Sequence, residues 1–166
     1  MHIRLLSILA ASAAFFAVAA DAEEAIVTSK SLTLEAALEV AQGALAACRK
    51  DGYQIAVSVI DRGGNQQVNL RDRLAGPHTT DTAYRKAWTA VSFRTDTSAL
   101  AKTAEAGPAW AIRGVTNALP LGGGVLIRDG DGTMLGAVGV SGAPGGALDA
   151  GCARAGIALI EDKIAF

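Results

Sequence analysis

Leu119–Gly142 reads LPLGGGVLIRDGDGTMLGAVGVSG and holds a large share of the chain's nineteen glycines between two apolar runs. GVLIRD and TMLGAVGVS are largely apolar runs, and Asp129-Gly130-Asp131-Gly132 between them supplies turn chemistry. The segment therefore reads as a β-hairpin. A hairpin makes its strands antiparallel, which argues against a doubly wound fold whose strands are joined by crossover helices. The same context argues against a nucleotide loop. GAVGVSG has neither the G-x-G-x-x-G nor the G-x-x-x-x-G-K-[ST] spacing, and it lacks the βαβ unit both require, so no nucleotide cofactor is expected. Glycine inside a strand costs stability, so Gly136 and Gly139 need a reason. Two stay open for the Gly122–Gly124 and Gly139–Gly142 stretches: a flat ligand lies against them, or a helix does.

Outward from this hairpin, the flanking segments repeat the pattern. Leu34, Leu38, Ala41, Leu45 and Cys48 recur at steps of four and three, with Thr33 placed to cap and Gly52 to stop, which predicts an amphipathic helix. Ile55, Val57 and Val59 alternate before Arg62-Gly63-Gly64-Asn65, and QQVNLR follows, a first hairpin. After Ala75-Gly76-Pro77, Thr79 or Thr80 can cap a second helix along Ala83, Ala87, Trp88 and Val91. Asp96 or Thr97 can cap a short third helix ending at Gly107-Pro108. Ala109–Leu121 reads as loop with an extended piece near Val115, and Ala147–Ile164 as a closing helix. The order is α-β-β-α-α-β-β-α, an α+β domain with an antiparallel sheet flanked by helices.

The first twenty residues stand apart. MHIRLLSILAASAAFFAVAA has a basic start, an apolar run and a small-residue end, the pattern of a secretory signal cut after Ala20. Residues 1–20 are thus expected to be removed and 21–166 to form a single domain, periplasmic or secreted, with no membrane association after cleavage. Its length is enough to bury a self-sufficient core. The formal charge of −1 includes Arg4 of the leader. Acids and bases are interspersed, so neither a nucleic-acid nor an anionic-membrane footprint is present. Cys48 and Cys152 are the two thiols of an exported chain. They are either bridged, as an oxidising compartment favours, or separately buried as small hydrophobes.

KAWTAVSF with Thr97 downstream, PLGGGVLI and, above all, LGAVGVSGAPGGALDAGCARAG resemble the GlcG/HbpS family of haem-degrading domains, related to the C-terminal domain of some corrinoid adenosyltransferases. The resemblance covers nearly all of residues 21–166. It implies a profilin-like α+β domain that assembles into homo-oligomers. It also implies a role in haem binding or handling, with haem b as the cofactor. The alternatives it implies are a non-catalytic module that binds an organic acid or corrinoid for a periplasmic oxidation pathway, and an enzyme that opens the haem ring. Binding is favoured over catalysis.

His78 is the only histidine left after leader removal, so any imidazole ligation of haem iron must use it; otherwise it is an exposed loop residue. No CxxCH occurs, which argues against covalent c-type attachment. Met134, Tyr53 and Tyr84 are more simply packing residues. Arg85 and Lys86 are placed to meet propionates or a small carboxylate, or to form a solvated helix face. Lys86 matches the Lys-Ala-x-Thr-Ala signature of the resemblance. Gly123, Gly124, Ser141 and Gly142 complete the candidate pocket. Asp149 is read first as a helix cap, with a cation ligand or a base as alternatives. Ser141, Asp149 and His78 do not make a hydrolase triad, since GVSG is not the G-x-S-x-G elbow. One histidine with scattered carboxylates has no metal-site spacing.

Overall fold

The computed structural model describes residues 27–166 together with Ala25, so the leader, its cleavage bond and the first residues after it lie outside the described residues. Thr33 starts α1 (Leu34–Lys50) by accepting the Ala36 N–H at 3.2 Å, and Gly52, at φ 79°, stops it. The buried face is Ala37, Val40, Ala41, Ala44, Leu45 and Cys48, whereas Leu34 and Leu38 are 58% and 37% exposed. The expected stripe is therefore rotated. Small residues decide it: a Cβ on Gly156 of α4 (Gly146–Ile157) would overlap the Val40 carbonyl and lie 2.9 Å from the Ala44 nitrogen. Helix backbones this close admit alanine at the contact and leave leucine outside. Cys48 and Cys152 are bridged across this contact, with their Cα atoms 5.5 Å apart.

β1 (Ala56–Asp61), β2 (Gln66–Arg71), β3 (Gly124–Arg128) and β4 (Met134–Ser141) form one antiparallel sheet in the order β2-β1-β4-β3. The valines of β1 and β4, with Val125 and Ile127, face α1 and α4 and form the main core. The opposite face carries Ile60 and Ala137 against Ala87, Ala90 and Val91 of α2 (Thr79–Phe93). Across that face Ser58, Gly139 and Gly124 stand in register in one row. A Cβ on Gly139 would overlap the Ala83 carbonyl, and one on Gly124 the Lys86 carbonyl. A helix lies against these two glycines, which answers for them the question their bareness raised.

Both hairpin turns are organised by an aspartate. Asp61 accepts the Gly63 and Asn65 N–H groups, and Asp129 those of Asp131 and Thr133, the local hydrogen bonding that makes Asp a turn residue. Asp129 also pairs with Lys30 at 2.8 Å, and that hydrogen bond holds its carboxyl below the ordinary carboxylate value.

Elsewhere the observed elements differ from expectation for reasons of context. No side chain caps α2 or α3 (Thr97–Thr103). Thr79 donates to the Gly76 carbonyl; Asp96 accepts the Leu126 N–H and Thr97 the Gly124 N–H, covering the free edge of β3. Ala109–Leu121 holds no strand, and the expected extended piece is Val115 alone, at φ −77° and ψ 129°. Pro108 opens 3-10 turns over Pro108–Gly114 that bury no residue. The last helix ends at Ile157, not Ile164, because Leu159 and Ile160 bond three residues back, a tightening that leaves Ile160 fully buried and Leu159 exposed.

Candidate functional site

The start of α2, the segment around Leu119–Leu121, the end of β4 and the start of α4 enclose a cleft of about 500 Å³, within the range usual for small-molecule sites. It brings together five of the seven residues singled out from sequence: His78, Arg85, Lys86, Ser141 and Gly142. Gly123 and Gly124 lie behind it. Gly124 takes the backbone of α2, and Gly123, at φ 120°, would place a Cβ 2.9 Å from Lys86 Nζ and 2.8 Å from Asp149 Cβ, so its bareness makes room for that pair.

Lys86 is 1% exposed and shares the buried side of α2 with Ala83, Ala87 and Ala90. Its ammonium donates to Asp149 Oδ2 at 2.7 Å and to the Val140 carbonyl at 3.0 Å. The solvated-face reading of Lys86 is therefore replaced by a buried ion pair. Asp149 does not cap α4, which starts from Gly145; it lies one turn in, and its Oδ1 accepts the Ala143 N–H at 3.0 Å. Burial pushes the Asp149 carboxyl above its ordinary value, while the Lys86 ammonium and the Ala143 N–H oppose that push. The pair fastens α2, the end of β4 and α4 to one another. Nothing local in the sequence points to it, since Lys86 and Asp149 are 63 positions apart.

Arg85 hydrogen-bonds the Asn117 and Ala118 carbonyls at 3.4 and 3.2 Å and keeps a loose contact with Asp81 at 3.8 Å. It thereby ties the loop wall to α2 and leaves its guanidinium partly exposed. His78 is exposed at the N-terminus of α2. Its ring packs over Gly76, where a Cβ would come within 2.8 Å of Cε1. Its imidazole makes no side-chain hydrogen bond among the described residues, so a ring nitrogen is open to a ligand. No group of three or more metal-ligating side chains occurs among the described residues. No helix there is long and apolar enough to cross a membrane.

A four-stranded antiparallel sheet with two helices on one face and one on the other, carrying a cleft at the helix ends, makes this a profilin-like α+β domain. The chain belongs to the HbpS-like family, described as haem-degrading proteins, whose model matches residues 32–158. The structure of a double mutant of HbpS from Streptomyces reticuli is 38% identical with a TM-score of 0.78, covering 95% of this chain and 99% of that one. A second HbpS crystal structure is 42% identical with a TM-score of 0.77, covering 82% and 94%. A crystal structure of a PduOC complex with haem is 25% identical with a TM-score of 0.70, covering 77% and 94%. No curated protein sequence matches the chain.

Proposed function

We propose that this is an exported haem-binding protein whose cleft accepts haem b with His78 as the iron ligand. The observation that carries the reading is an exposed imidazole, free of internal hydrogen bonds, on the wall of a cleft of about 500 Å³ in a member of the HbpS-like family. A neutral imidazole nitrogen suits haem iron. The partly exposed Arg85 offers a guanidinium to a propionate. Lys86 is committed to Asp149, which disfavours the alternative of an organic-acid module built on that lysine.

Export rests on the leader-like residues 1–20 and is supported by the Cys48–Cys152 bridge, a bond characteristic of oxidising compartments. In this reading the protein works in the periplasm or outside the cell, as a homo-oligomer.

Titrating residues 21–166 with hemin tests the ligand assignment. A saturable Soret shift that disappears in His78→Ala supports it; no shift, or the same shift in the variant, overturns it. Adding reductant and oxygen separates holding from ring opening. A stable Soret band marks a binding protein. Loss of the band that persists with catalase present marks turnover.

A further inference from the structure

Four buried polar side chains line the cleft, and three of them are engaged. Thr79 donates to the Gly76 carbonyl, and Lys86 and Asp149 bond each other as well as Val140 and Ala143. Ser141 is the fourth. It is 4% exposed, and its hydroxyl has no hydrogen-bond partner among the described residues. That oxygen is not sealed from water, since Gln67 Oε1 is the sole fully buried side-chain polar atom without a partner among the described residues, so an acceptor on a ligand in the cleft can reach the Ser141 hydroxyl.

Beside it in the same cleft wall, α4 begins at Gly145 and Gly146. No side chain caps this end, so the first-turn N–H of Gly146 is without a partner among the described residues. Free N–H groups and the positive end of a twelve-residue helix favour an anion. The Lys86 ammonium uses two of its three N–H groups on Asp149 and Val140, so this wall consists of donors. Asp149 is the one carboxylate here, and its two oxygens already accept from Lys86 and Ala143.

We infer that this wall is a carboxylate subsite, in which a propionate of the bound tetrapyrrole accepts hydrogen bonds from Ser141 Oγ and the Gly146 N–H. The inference rests on the reading of the cleft as a haem site. It adds a chemical requirement to that reading: a ligand must present a carboxylate, and its neutral ester binds poorly.

Soret titrations of residues 21–166 with haem and with haem dimethyl ester, in the same co-solvent, test it. The wild-type protein is expected to bind haem about tenfold or more tightly than the ester, the scale of one charge-assisted hydrogen bond. Ser141→Ala is expected to weaken haem binding by about tenfold and leave the ester within about twofold. Equal binding of haem and ester by the wild type overturns the subsite and leaves the haem cleft standing. So does a Ser141→Ala variant whose haem affinity is unchanged. If neither compound binds, the haem reading fails and the subsite fails with it. The wild-type comparison is readable even if the variant does not fold.

Discussion

The Cys48–Cys152 bridge offers the sharpest test of how the domain is held together. It closes a loop spanning 104 positions between α1 and α4. In the chain-entropy relation a loop of that length restricts the unfolded chain by about 4.7 kcal/mol at 25 °C. Set against a typical domain stability of roughly 5–15 kcal/mol, this is a large fraction of the whole. The perturbation is the double variant Cys48→Ala, Cys152→Ala, compared with wild-type protein kept in a phosphine reductant. With a urea slope of about 1.5 kcal/mol per molar, the unfolding midpoint should fall by about 3 M in both samples. The reductant should not move the midpoint of the variant. A fall below about 0.7 M, equivalent to about 1 kcal/mol, would falsify the loop-entropy reasoning. It would mean that the close backbone packing of α1 on α4, built from Ala44 and Gly156, keeps the helices together in the unfolded chain or makes the bridge redundant.

Two further outcomes follow from the charges. Lys86→Met leaves Asp149 buried without its cation and should cost about 3–5 kcal/mol in urea unfolding; adding Asp149→Leu should recover much of that loss, since a buried pair replaced as a unit is often neutral. Asp129 has a folded-state pKa below its unfolded value, owing first to the Lys30 hydrogen bond, so it stabilises the fold above about pH 4 and loses that contribution as pH falls through the folded value. Circular dichroism from pH 5 to pH 2 should therefore show a steeper loss of stability for wild type than for Lys30→Ala, and parallel curves would refute the assignment.

The element order was legible because its signals are local. Thr33 and Gly52 bracket a helix, aspartates and glycines fill both hairpin turns, and short apolar runs flank those turns. What was not legible depends on close approach between distant segments. Ala44, not Leu34 or Leu38, meets α4 beside the Val40 carbonyl, because the approach of Gly156 rewards small side chains over large ones. Asp96 and Thr97 look like helix caps but serve the edge of β3, a strand about thirty positions away. The same holds at the site. His78, Arg85, Ser141 and Gly142 were found by residue chemistry and family resemblance. Asp149 looks like a cap from sequence because its partner Lys86 lies 63 positions away on another element, and a lysine beside Arg85 suggests a solvated face.

The row Ser58, Gly139 and Gly124 has a consequence for the way any flat ligand can be held. With the backbone of α2 seated directly on Gly124 and Gly139, there is no interlayer gap at that row for a macrocycle to enter. Intercalation between helix and sheet is thereby closed off, and access is confined to the rim at the end of α2. A tetrapyrrole held there would keep one flank toward the surroundings, where solvent or a second copy of the chain could reach the metal.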